Sequence, residues 1–182
     1  MTEKKNKISI HYFKTDLGEI ILGSVDDKLC LCDWRYRKMR TAIDERIQKG
    51  LNGYYKEEET PVILETIQQL NEYFAEERKE FDISLQLVGS PFQQNVWTVL
   101  KYIPYGKTVS YLELSKKVSD EKAIRAVAAA NGANAISIIV PCHRVVGSNG
   151  EMTGYAGGIQ AKKKLLQLES DRRYPEQLQL FN

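Results

Sequence analysis

The tetrapeptide Pro141-Cys142-His143-Arg144 is the part of this chain most able to do covalent chemistry. A cysteine attacks as its thiolate, and an imidazole nearby can take the proton. Neighbours in an extended strand point to opposite faces, so adjacency alone does not put His143 on Cys142. Direct contact and contact through a bridging water both stay open. Taken alone, the pair also fits a buried cysteine beside a satisfied histidine. Cys30 and Cys32 lie two apart in a strand pattern, which predicts that both face one side. They fit a metal half-site with His11 or, more simply, two small core residues. With three cysteines and two histidines in all, neither a disulfide framework nor a four-ligand zinc pattern is present. The expectation is reduced thiols, as in a cytosolic protein. Glu57-Glu58-Glu59 reads as a solvated turn, and Lys162-Lys163-Lys164 as a phosphate contact or a solvated face.

The elements that must position Cys142 divide at Gly89-Ser90-Pro91. Before it, residues 7–13, 18–25 and 28–34 read as strands in an antiparallel meander, with Asp26-Asp27 as a turn. A helix is expected over 41–48, stopped by Gly50. A second follows Thr60 as N-cap with Pro61 in its first turn, and carries Val62, Ile63, Ile67, Leu70 and Phe74. Alternation at Phe81, Ile83, Leu85 and Leu87 predicts one more strand. After the boundary, Ser90-Pro91 starts a helix through Leu100. Ser110 caps a helix over 111–118 with Glu113 as its capping-box partner. Ser119-Asp120-Glu121 links it to an alanine-rich helix over 122–131, a helix-turn-helix candidate. Residues 136–140 read as a buried strand, and residues 160–169 as a last helix. The fold class is α/β: a small N-terminal α/β domain with an antiparallel sheet (1–88), a mostly helical winged helix-turn-helix domain (89–170) and a tail (171–182).

Composition narrows the partners. The 182 residues are 42% hydrophobic and 27% charged, and mean hydropathy is −0.42. No apolar run approaches the roughly 20 residues needed to cross a bilayer. The polar start, Met1 to Lys7, predicts no secretory signal, so a cytoplasmic protein without a membrane partner is expected. Net charge is +2 for the whole chain, but residues 1–85 carry −3 and residues 86–170 carry +5. A basic second half fits a polyanion such as nucleic acid, or an uneven draw of surface charge. The alanine-rich helix offers Arg125 as its one long basic probe, which fits weak base readout through the minor groove better than major-groove reading.

The second half resembles the O6-alkylguanine-DNA alkyltransferase (methylated-DNA–protein-cysteine methyltransferase) family. The blocks that carry the resemblance are Ser90-Pro91-Phe92-Gln93, Val96-Trp97, Ile103 to Tyr111, Arg125-Ala126-Val127, Val140-Pro141-Cys142-His143-Arg144-Val145-Val146, Gly154 to Gly158 and Leu165 to Glu169. It extends over about residues 85–170. It makes residues 1–88 the family's variable, RNase H-like domain on length and general pattern alone.

The resemblance implies stoichiometric repair. The protein binds duplex DNA containing O6-alkylguanine, turns the base out of the stack, and moves the alkyl group to Cys142, once per molecule. O4-alkylthymine is a further candidate substrate. It implies His143 as the base acting through a water, Glu169 as the carboxylate orienting His143, and Tyr111 as donor to the leaving guanine. Arg125 would fill the gap left by the flipped base, and Asn134 would brace the turn before the thiol. Thr108, Ser110, Tyr111, Ala126 and Arg144 would join Arg125 on DNA. Val145, Tyr155, Ala156 and Gly157 would wall the base pocket. No cofactor or metal is implied, and a monomer is expected. Two departures stand out. Asn134-Ala135 replaces a common Asn-Pro, which predicts a less rigid hinge, and Ala156 replaces a common serine, which removes a hydroxyl contact. A lesion-sensing protein without transfer and a thiol hydrolase are the alternatives. The retained Cys142, His143 and Glu169 argue against the first, and the DNA-binding half has no use in the second.

Overall fold

The computed structural model describes residues 5–170; the expected tail at 171–182 lies outside them. Strands β1 (Asn6–Thr15), β2 (Gly18–Val25) and β3 (Lys28–Trp34) pair antiparallel in chain order. Asp26 and Asp27 join β2 to β3 with φ of 47° and 57°. A two-residue hairpin turn needs two left-handed positions, and aspartate tolerates them better than most side chains. Helix α1 (Arg40–Gly50) then crosses one face of the sheet and delivers β4 (Gly53–Glu57), which lies parallel to β1. The sheet order is β3-β2-β1-β4, so the meander gains a parallel edge strand that sequence reasoning did not see.

The two faces of the sheet serve different cores. Ile8, Ile10, Ile21 and Leu31 meet Ile43 and Ile47 of α1. Ile20, Leu22, Leu29 and Trp34 point the other way, into a core shared with α2 (Pro61–Phe74) and with the whole second half. A register shift in the β2–β3 pairing leaves Cys30 as an extra residue between Leu29 and Leu31. Such a bulge flips the alternation. Cys30 therefore joins the first core and Cys32 the second, and the two thiols do not share a side as the spacing predicted.

Two expected strands do not form. Residues 81–87 run beside β3 but bridge it only at Leu85, opposite Leu29. Their alternating residues are partly buried against the second core, so the alternation reported burial rather than ladder pairing. Residues 136–140 are apolar and mostly buried, yet they form turns with one bridge, Cys32 to Ile136. Ile138 sits at φ +72°, where a β-branched residue cannot continue a strand.

The second half opens with α3 (Pro91–Leu100), held by a Ser90/Gln93 capping box. The short strand β5 (Val109–Ser110) leads into α4 (Tyr111–Val118), whose Ser110/Glu113 capping box is formed on both sides. A 3₁₀ turn (Glu121–Ala123) precedes α5 (Ile124–Gly132). α5 packs against both α3 and α4. It leaves Arg125, Ala126, Ala129 and Gly132 exposed along one face. β6 (Val145–Val146) pairs in parallel with β5, and α6 (Gly158–Glu169) closes the described chain. None of the described helices is long and apolar enough to cross a membrane.

Candidate active site

Cys142 begins a 3₁₀ turn, Cys142–Arg144, and is 4% exposed. The approach to it is fixed by Asn134. Its side-chain amide donates to the carbonyls of Val140 (2.9 Å) and Ile136 (3.3 Å), and its side-chain oxygen accepts from the Ile136 N–H (3.0 Å). One buried side chain thus closes the 134–140 turn that no strand pairing holds. Burial pushes the Cys142 thiol above its ordinary range, while a hydrogen bond from Asn134 and the charges of Arg37 and Lys162 pull it back. At neutral pH the resting group is a thiol, and its reaction requires a base.

His143 is fully buried, and its Nε2 lies 2.8 Å from Glu169 Oε1. Burial drives the imidazole below its ordinary value, so it is neutral at pH 7. Burial alone would raise the Glu169 carboxyl. The charges and hydrogen bonds of His143 and Arg144 outweigh that and hold it well below the usual carboxylate range. An ionised carboxylate only accepts, so the shared hydrogen is on Nε2. Nδ1 keeps its lone pair, and it has no hydrogen-bond partner among the described residues. A neutral, oriented imidazole with a free buried acceptor beside a thiol is equipped to take a proton.

The carboxylate has more partners than its sequence neighbours reveal. Arg144 donates through Nε to Oε2 (2.8 Å) and through a terminal nitrogen to Oε1 (2.9 Å), while its other nitrogen reaches the Ile103 carbonyl. Arg144 is buried, so it serves inside this cluster and not on the DNA face where it was expected. The Tyr73 hydroxyl donates to Oε1 at 2.7 Å. Gly106 approaches so closely that a Cβ there would stand 2.7 Å from the Glu169 carbonyl oxygen, and its φ of +73° also favours glycine.

Tyr111 heads α4, half-buried, and Asn131 spans the gap to the thiol turn. The Asn131 amide lies 3.5 Å from both the Tyr111 hydroxyl and the Cys142 carbonyl. Val145 is buried immediately after the reactive turn. Tyr155 stands edge-on to both His143 (centroids 6.3 Å apart) and Trp34 (6.0 Å). Gly157 lies flat on Trp34; a Cβ there would meet the indole at 2.4 Å. Tyr155, Ala156 and Gly157 line a cavity of about 660 Å³ together with Trp34, Tyr36 and Met39 of the first half. Arg125 and Ala126 are exposed on α5, Thr108 is exposed and Ser110 half-buried beside the start of α4.

Sequence reasoning missed Tyr73, Asn131, Trp34 and Lys162. Lys162 is buried, neither on phosphate nor solvated. It donates to the carbonyls of Val145 (2.6 Å) and Thr153 (3.1 Å), and burial lowers its ammonium to about 8 against an opposing pull from Cys142. Helical spacing was a usable signal for it, because Lys162, Leu166 and Glu169 fall on one inward face of α6. Asn131 likewise follows Val127 by one turn. Nothing local marked Tyr73, whose partner is 96 residues away. His11 lies 3.7 Å from Glu59, away from both buried cysteines of β3, and no group of three or more His, Cys, Asp or Glu side chains suited to a metal occurs among the described residues.

The arrangement is that of a nucleophilic thiol with its own buried base, carried behind a helix-turn-helix. Residues 91–171 match the DNA-binding domain of 6-O-methylguanine DNA methyltransferase, and residues 8–87 match its ribonuclease-like domain. The chain belongs to the O6-methylguanine-DNA methyltransferase family. Curated relatives carry the name methylated-DNA–protein-cysteine methyltransferase. The one from Methanosarcina acetivorans is 41% identical over 157 residues, 86% of this chain and 95% of that protein. The constitutive one from Bacillus subtilis is 43% identical over 162 residues, 86% and 92%. Among solved structures, Mycobacterium tuberculosis OGT in complex with DNA superposes with a TM-score of 0.77 at 38% identity, covering 97% of this chain and 99% of that one.

Proposed function

We propose that this protein repairs alkylated DNA by direct reversal, moving the alkyl group of an O6-alkylguanine onto Cys142. The observation that carries the reading is the buried Cys142–His143–Glu169 series, with His143 neutral and its Nδ1 free for a proton. The base must leave the stack to reach a thiol that is 4% exposed. His143 Nδ1 takes the thiol proton, directly or through a water. The sulfur then forms an S–C bond as the O6–C bond breaks. Tyr111 donates to the departing guanine, which avoids release of an anion. The product is a thioether with no hydrolytic step to reverse it, so each molecule acts once.

On this reading Arg125 enters the duplex from the exposed face of α5, and Ala126, Thr108 and Ser110 meet the backbone. Tyr155, Ala156, Gly157 and Val145 wall the base. The small residues Ala156 and Gly157 favour substituents larger than methyl. Residues 1–88 and 89–170 are its two domains, and the protein works as a cytoplasmic monomer without a cofactor.

The test is intact-protein mass after mixing with a duplex holding one O6-methylguanine, followed by peptide mapping. One methylene equivalent on Cys142, stopping at one per molecule, is expected. Cys142→Ala should gain nothing while still binding the duplex. Tight binding with no mass gain in the native protein would assign it to lesion sensing instead.

A further inference from the structure

The first half of the chain grips the segment that runs from α5 to the thiol, one backbone group after another. Arg37 donates through one terminal nitrogen to the Gly132 carbonyl and through the other to the Asn134 carbonyl (3.0 Å). Arg46 of α1 donates to the Ala133 carbonyl between them, at 2.8 Å. The Cys32 N–H then donates to the Ala135 carbonyl (2.9 Å), and the Cys32 carbonyl accepts from the Ser137 N–H (2.6 Å). The Ser137 hydroxyl donates to Asp33. Asp33 is buried and also accepts from Arg37 and Arg40, which fixes both guanidinium groups. Arg46 is seated by its approach over the Trp97 ring, 5.2 Å from the centroid.

Gly132, Ala133 and Asn134 are where α5 ends, and their carbonyls have no helical partner. Cations are favoured at this end of a helix, and a planar guanidinium can hold two carbonyls at once. The first carbonyl belongs to the helix that presents Arg125, and the third belongs to the residue whose side chain closes the Cys142 turn. Ala135 follows Asn134 with its carbonyl on the Cys32 N–H, so these contacts hold the backbone through the turn.

We infer that Arg37 and Arg46 are positioning residues that fix the end of α5 against the Cys142 turn, so that a duplex seated on α5 presents its flipped base in register with the thiol. This rests on the alkyl-transfer reading above. A free O6-alkylguanine base needs no seated helix and reaches the thiol unaided. The two substrates therefore separate positioning from chemistry and from folding.

The experiment measures the second-order transfer rate of full-length protein with an O6-methylguanine duplex and with free O6-benzylguanine. It uses Arg37→Lys and Arg46→Lys, each checked for an unchanged thermal unfolding midpoint. A lysine keeps the charge but holds one carbonyl at a time. The duplex-to-free-base ratio of rates should fall between about tenfold and a hundredfold for Arg37→Lys, the range expected for a displaced reacting geometry, and by less for Arg46→Lys. A parallel fall on both substrates, or an unchanged ratio in both variants, overturns the inference. If Arg37→Lys fails to fold, the Arg46→Lys ratio decides alone. A native protein that alkylates itself with neither substrate would defeat the transfer reading instead, and that outcome is distinct.

Discussion

Two buried carboxylates flank the reactive turn, and they are used differently. Glu169 gathers His143, Arg144 and Tyr73, all through side chains, and of these His143 is the group whose ordinary value lies near neutrality. Asp33 gathers Arg37, Arg40 and Ser137, and Arg37 in turn holds the main-chain carbonyls of Gly132 and Asn134. Both clusters put several groups on one charge, which is what makes a buried ion tolerable. The Glu169 cluster sets where a proton sits. The Asp33 cluster sets where a backbone runs. The contrast shows that a buried charge need not be near the reaction's protons to matter to the reaction, provided it fixes the chain that carries the nucleophile.

The comparison breaks most sharply at Glu169. Glu169→Gln leaves Arg144 buried without a counter-charge, and unfolding free energy should fall by about 3–5 kcal/mol. It also releases the orientation of His143, so single-turnover transfer should slow by roughly a hundredfold or more. Stopped-flow transfer and denaturant unfolding read the two effects. Asp33→Asn should cost about 3 kcal/mol in the same unfolding assay, since Arg37 and Arg40 lose their shared anion. The acid limb of its transfer rate should keep its native midpoint, because Asp33 does not act on His143.

That pH dependence is the next test. Burial depresses the His143 imidazole below 6.5, so transfer should be flat through neutrality and fall only on an acid limb whose midpoint lies below 6.5. The Glu169 carboxylate opposes the depression, so Glu169→Gln should move the limb to lower pH and Asp33→Asn should not move it. Stability follows the same sign. Below 6.5 the unfolded imidazole binds a proton that the folded one refuses, so stability falls with acid. Glu169, held ionised in the fold, adds a further loss once pH drops below about 4.5. A midpoint well above neutrality would mean that His143 rests as a cation at pH 7, contrary to its part as the resting base. Smaller effects bound the picture. Tyr73→Phe removes one hydrogen bond to an ion and should cost about 2 kcal/mol. Ser110→Ala removes a helix cap outside both clusters and should cost about 1 kcal/mol with little change in the acid limb.

The sequence disclosed those features whose causes are local. Ser110-x-x-Glu113 is a capping box on paper and in the fold. Thr60-Pro61 starts α2 as read, and Asp26-Asp27 turns the β2–β3 hairpin. Segments whose form is set from outside were misread. Residues 136–140 have strand composition, but their course is dictated by Asn134 and by β3, not by their own preferences. Cys30 and Cys32 were given one face because a bulge shifts register without leaving a clear residue signature. The site divides along the same line. Cys142, His143 and Glu169 stood out because they sit in recognisable blocks. Arg37 and Arg46 did not, because a guanidinium that caps a helix about 90 residues later reads in sequence like any surface charge.

Glu169 ends α6 and follows His143 by 26 residues. A growing polypeptide therefore produces its nucleophile before the anion that orients the base. Until α6 docks, Cys142 has neither the buried Lys162 nor a histidine held in the productive tautomer. An unfinished molecule carries the acceptor sulfur without the oriented base that the finished site supplies.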